Sequence, residues 1–134
     1  MTIMEKVDII KYWIDSSDRD FKTMKNLFKE KDYHWALFIG HLVIEKLLKA
    51  YYAKNIDNHP PFGHNLLLLA EKANLQLSEA QKDILVTITA FNIQARYDDY
   101  KSAFYKTCTK EYTEKWIKEI KGLRKWIKGL LSKS

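Results

Sequence analysis

An arginine, a glutamate set in an apolar run and a histidine in a turn are the side chains best suited to chemistry. Arg96 stands in Ala95-Arg96-Tyr97 and is followed by Asp98, Asp99, Tyr100 and Lys101. A guanidinium holds a phosphate bidentately, a neighbouring lysine adds positive field, and tyrosine faces offer stacking platforms for a base. Glu45 lies in HLVIEKLLKAYY, residues 41–52. That stretch and the YHWALFIG before it are apolar nearly all round, as in a buried helix, so the carboxylate must be paired or is costly. Lys49 supplies an i,i+4 partner worth about 0.2–0.5 kcal/mol. His64 sits in PPFGHN, where it fixes a turn or meets a ligand. A metal site is disfavoured. His34 and His41 share a helix face but are about 10 Å apart along it, too far for one ion. His59 and His64 have no cysteine or carboxylate cluster at ligand spacing. No glycine-rich phosphate loop, nucleophile elbow or paired-carboxylate signature is present, so no cofactor is implied.

The elements that must hold these residues are helical. A chain of 134 residues with 4 Gly and 2 Pro has few turns for a many-stranded sheet and enough length for a core without a staple. The sequence therefore predicts an all-α domain over residues 1–134, an up-and-down bundle of four long helices plus one short helix. Val7, Ile10, Ile14, Ser17, Phe21, Met24 and Phe28 recur at spacings of three and four, and only Ser17 interrupts that stripe. Asp32 is placed to cap a second helix from Tyr33 to about Lys54. NIDNHPPFGHN is the clearest loop, and Asn65 is placed to cap the short helix LLLLAEKA. Ser78 and Gln81 form a capping-box pattern opening a helix that runs to about Ala95. RYDDYKSAFYKTCT breaks the periodicity, and Trp116, Ile120, Leu123, Ile127 and Leu130 mark the last helix. Trp35, Phe38, Leu42, Leu47, Phe91, Trp116 and Ile120 are the expected core.

Charge and cysteine content narrow the setting. The formal charge is +6, and Glu111 to Ser134 carries seven Lys or Arg against three Glu. Such a surface either keeps a helix solvated or attracts polyanions. Cys108 is the sole cysteine and forms no internal disulfide. With no apolar signal segment at the N-terminus, it points to a cytoplasmic protein with a bystander thiol. No run of about 18 apolar residues reads as a membrane span. The 4 Trp, 8 Tyr and 6 Phe, with a second helix too apolar for a small bundle to hide, suggest a homodimer.

Three separated signals, HLVIEKLLKA, the Pro-Pro then His64-Asn65-Leu66 turn, and Ala95-Arg96-Tyr97, are similar in order and spacing to the HEPN domain family. The resemblance covers nearly the whole chain. It implies a bundle of four or five helices, usually homodimeric. In prokaryotes such proteins often stand beside a minimal nucleotidyltransferase as toxin–antitoxin pairs, and active members are metal-independent ribonucleases. Their chemistry rests on an Arg followed by four to six residues and a His. Arg96 matches the arginine, but Lys101, Ser102 and Ala103 occupy the histidine positions, and no histidine follows Arg96. The resemblance also implies that Glu45 on the second helix faces and orients Arg96. The resulting expectation is a non-catalytic binding module for nucleotide, RNA or a nucleotidyltransferase-type partner. Its site is drawn from Arg96, Glu45, Tyr97, Asp98, Asp99, Lys101 and His64. The alternative is a ribonuclease whose general base is displaced to His64 or His41.

Overall fold

The computed structural model of the chain describes residues 5–133. Residues 1–4, where a signal segment was sought, and Ser134 lie outside the described residues, as do both ends of the expected domain. Among the described residues there are six helices and no strand: α1 (Lys6–Lys29), α2 (Tyr33–Asn55), α3 (Leu66–Lys72), α4 (Glu79–Gln94), α5 (Asp98–Thr107) and α6 (Lys110–Leu131).

Local chemistry sets most of the boundaries. Asn65 accepts a hydrogen bond from the Leu68 amide at 3.1 Å and starts α3. Ser78 and Gln81 form both bonds of the capping box at the start of α4. Thr109 accepts from the Tyr112 amide at 3.2 Å and starts α6. Asp32 departs from expectation: it occupies the position before α2, but its side chain makes no capping hydrogen bond. Lys31 takes a left-handed φ of 66°, which turns the chain between α1 and α2 instead.

α2 is the central element and packs against each of the other five helices. Of its residues, Ala36, Leu37, Val43, Ile44, Leu47, Leu48, Ala50 and Ala53 are fully buried. Ser17, the break in the α1 stripe, is fully buried as well and donates to the Val43 carbonyl at 2.8 Å, tying α1 to α2. Ion pairs finish the outer seams. Asp18 of α1 receives Lys128 at 2.8 Å and Arg124 at 3.1 Å from α6, and Lys46 of α2 meets Asp20 at 2.6 Å. Lys54 donates to the carbonyls of Leu130, Leu131 and Lys133, closing the end of α6. Part of the basic charge on the last segment therefore holds the bundle together rather than facing a partner.

Of the expected core, Leu47, Phe91 and Ile120 are fully buried, while Trp35, Phe38, Leu42 and Trp116 are half-buried. For Trp35 and Phe38 the difference arises on the flank covered by α5, which the broken periodicity did not reveal. α5 is anchored by one buried side chain, Phe104, whose ring lies 5.5 Å from Phe91. A helix held by a single apolar anchor cannot cover Trp35 and Phe38 completely. Its sequence signal is instead electrostatic, with Asp98 and Asp99 in the first turn and Lys106 in the last, matching the helix dipole.

Gly40 marks the closest approach of three helices. A Cβ there would stand 2.5 Å from Ile120 Cδ1 of α6 and 3.2 Å from Met24 Sδ of α1. The end of Ile120 can yield to one methyl, but a branched side chain overpacks the contact. Gly40→Val is therefore expected to lose about 1–3 kcal/mol in urea denaturation, with Gly40→Ala much closer to wild type. Wild-type stability in Gly40→Val would show that α1, α2 and α6 do not converge there.

Candidate functional site

His34, Phe38, His41 and Glu45 step along α2 at spacings of four, three and four, so they form one stripe. Two separate groups of residues approach it, the 56–65 loop at the Glu45 end and the α4–α5 junction at the His34 end.

At the Glu45 end the carboxylate is 4% exposed and both of its oxygens are engaged. His64 Nδ1 donates to Oε1 at 2.7 Å, and Lys49 Nζ donates to Oε2 at 3.3 Å. His41 is fully buried and donates its Nε2 hydrogen to the His64 carbonyl at 2.8 Å. That bond fixes the tautomer, because a carbonyl only accepts, and leaves Nδ1 of His41 as a buried nitrogen with no hydrogen-bond partner among the described residues. Loop and helix are thus tied twice, through the His64 ring and through its backbone. Lys49 is also buried, and its Nζ lies 5.1 Å from the centre of the Trp13 ring.

The expected Glu45–Arg96 pair is not formed. Glu45 meets His64 and Lys49, while Arg96 Nε donates to the Asn92 carbonyl at 2.9 Å. Distance along α2 is the reason. The Arg96 guanidinium lies over Phe38, 5.7 Å from the ring centre. Glu45 is seven residues further on, about 10 Å along the helix. The Glu45–Lys49 pair does occur, but in the interior rather than on a partly exposed strip.

Arg96 itself is exposed. Its guanidinium sits 5.5 Å from the Tyr97 ring and 5.7 Å from the Phe38 ring, so two aromatic residues hold it in place. With Nε bound to Asn92, the four Nη hydrogens have no carboxylate partner among the described residues. Lys101 repeats the arrangement one step along α5, its Nζ 5.2 Å from the centre of Trp35. Tyr97 and Tyr100 are each 54% exposed. Asp98 and Asp99 occupy the first turn of α5, where they complement the helix dipole and do not attract an anion.

The structure thus separates the seven candidate residues. Arg96, Tyr97, Asp98, Asp99 and Lys101 cluster where α5 begins, and Glu45 with His64 forms a distinct group. Phe38 and Trp35, expected only as core, were overlooked as supports for the cations, although the placement of Phe38 in the stripe at four, three and four was legible in the sequence. Cys108 is buried in apolar surroundings that push its thiol up to about 12, so it is protonated and unreactive.

The family model for the HEPN domain matches residues 10–130 of the chain. No curated protein and no solved structure matches it.

Burial holds His41 below its ordinary value of 6.5, against the opposing pull of the His64 carbonyl and Glu45, with His64 and Arg96 adding to the lowering. His34 is lowered in the same direction, by burial and by Lys101. On unfolding, both imidazoles recover their normal basicity, so the unfolded state binds more protons below pH 6.5 and stability falls as pH drops through that value. The melting temperature is expected to fall between about pH 7.5 and about pH 5.5. It should fall less in His41→Gln, which keeps a donor toward the His64 carbonyl and removes the titration. An equal fall in both proteins would take His41 out of the acid response.

Proposed function

The chain belongs to the HEPN domain family, and we propose that it is a non-catalytic module that binds single-stranded RNA through its phosphates at Arg96. The observation carrying this reading is the exposed guanidinium, set against Phe38 and Tyr97 with its Nη hydrogens free of carboxylates among the described residues. An arginine whose job is structural is normally consumed by an acid. This one is oriented by rings and a backbone carbonyl, an arrangement that keeps the fork available for a bidentate phosphate contact. Lys101 over Trp35 supplies a second fixed cation, and the +6 charge of the chain favours approach of a polyanion. A non-cleaving role is favoured because Lys101, Ser102 and Ala103 stand where the family's ribonucleases carry histidine.

One observation favours a second reading, a ribonuclease with a displaced base. His64 gives its Nδ1 hydrogen to the buried Glu45 carboxylate and is otherwise half-exposed, the orientation a carboxylate imposes on a general base. The spacing along α2 counts against it, since Arg96 and His64 attach to the helix at Phe38 and Glu45, about two turns apart.

Arg96→Ala is expected to melt close to wild type, because the side chain is exposed, and to weaken binding of a short single-stranded RNA by about 1–3 kcal/mol. Arg96→Lys should also bind less tightly, since lysine keeps the charge but loses the fork. Fluorescence anisotropy measures both, and unchanged binding in the two variants would remove Arg96 from the site. The same RNA should stay intact in EDTA. Cleavage by wild type that disappears in His64→Ala or Arg96→Ala would replace this reading with the ribonuclease.

A further inference from the structure

α1 and α6 run in opposite directions and pack on α2 rather than on each other. At one end ion pairs close the seam between them, Asp18 with Lys128 and Arg124, and the Arg124 guanidinium lies 3.8 Å from the centre of the Phe21 ring. One turn further along α1 the seam opens. Lys25 and Phe28 of α1 stand across from Glu114, Ile117, Lys118 and Lys121 of α6, and together they line a groove of about 360 Å³. The residues on each wall recur at helical spacing, so each wall is one helix face, about two turns long on α6. The floor is apolar: Ile117 is buried, and the half-buried Phe28 packs on Tyr33 with ring centres 5.5 Å apart. This groove shares no residue with the Arg96 site.

The rim carries one sign of charge on facing walls. Lys25 of α1 and Lys118 and Lys121 of α6 are exposed, and none has a carboxylate at ion-pair distance among the described residues. Glu114, the acid on the rim, meets Lys110 at 3.8 Å. At the closed end an acid of α1 answers the cations of α6, whereas at the open end α1 brings another lysine. Like charges across a groove repel, so an anion from outside stabilises the arrangement. A phosphate chain alone would leave the apolar floor in water. A bilayer does not reach that floor, because Ile117 and Phe28 are recessed while the lysines are exposed. An amphipathic helix meets both demands, with apolar side chains at i and i+3 or i+4 on the floor and carboxylates beside the rim. We propose that the α1–α6 groove docks an acidic amphipathic helix of a partner protein. An apolar side chain of that helix seats on Phe28 and Ile117, and its carboxylates pair with Lys25, Lys118 and Lys121.

The probe is a fluorescein-labelled, stapled helical peptide with Leu at i, i+4 and i+7 and Glu on either side of that stripe. Its control has the same composition, scrambled so that Leu falls on every face. Wild type should bind the amphipathic peptide roughly tenfold more tightly than the scrambled one. Lys118→Glu with Lys121→Glu, both at exposed positions, should melt close to wild type and lose roughly tenfold in affinity. That variant should recover binding to a peptide in which Lys replaces Glu. Lys72→Glu with Lys106→Glu makes the same change in net charge at exposed positions outside the groove and should bind as wild type does. No binding by wild type, equal binding of the two peptides, an equal loss in the two double variants, or no recovery with the lysine peptide overturns the proposal. Neither single-stranded RNA nor phosphatidylserine vesicles should displace the peptide from Arg96→Ala, which lacks the phosphate site. Displacement by either assigns the groove to nucleic acid or to a membrane instead, and none of these results depends on whether Arg96 binds RNA.

Discussion

The bundle is organised by the burial of one helix. α2 touches every other helix and is apolar on nearly all sides, so each neighbour is placed by the part of α2 it covers. α1 and α6 meet at Gly40, where the missing side chain lets Met24 and Ile120 reach the helix together. α3 and α4 close a third side, with Thr89 accepting the Leu66 amide at 3.1 Å. The short α5 covers what is left, incompletely.

Polar groups on a helix so enclosed are confined to places where something can satisfy them. Glu45 is satisfied from the loop by His64 and from its own helix by Lys49. Removing one partner from such a buried set leaves an uncompensated group, which is far more costly than the pair is beneficial, so the 56–65 loop is fixed by a requirement of the interior. Towards the other end the stripe is covered by rings and cations that remain partly in water. Phe38 and Trp35 carry Arg96 and Lys101 without neutralising them, and His34 keeps a nitrogen unpartnered among the described residues. One stripe of α2 therefore has an end whose carboxylate is fully engaged and serves the fold, and an end whose cations, Arg96 and Lys101, lie against rings.

The long elements were legible because each carries a repeated apolar period or a local cap. Asn65, Ser78 and Gln81 act through neighbours three residues away, which a sequence displays directly. α5 was not legible, since one buried anchor in ten residues makes no period, and its acidic first turn was read as part of an anion site. Of the two partners expected for Glu45, Lys49 is met and Arg96 is not, for a related reason. A carboxylate in an apolar run announces that it needs a partner, but that His64 rather than Arg96 arrives beside Lys49 depends on how far along α2 each reaches. That distance is set by the path of the loop and the start of α5, and neither is encoded in a spacing. The separation of His34 and His41 ruled them out as a metal pair, but that each would bury a nitrogen without a partner was not legible from spacing.

The central claim is that Glu45 serves the fold while Arg96 is held independently of it. A double-mutant cycle in chemical denaturation with Glu45→Gln and Arg96→Ala tests this most directly, because groups that bond to different partners behave close to additively. The account predicts a large loss in Glu45→Gln, a small one in Arg96→Ala, and a coupling energy within about 0.5 kcal/mol of zero. A coupling of about 1 kcal/mol or more would mean that the carboxylate and the guanidinium support one another, contradicting the division between the two ends of the stripe.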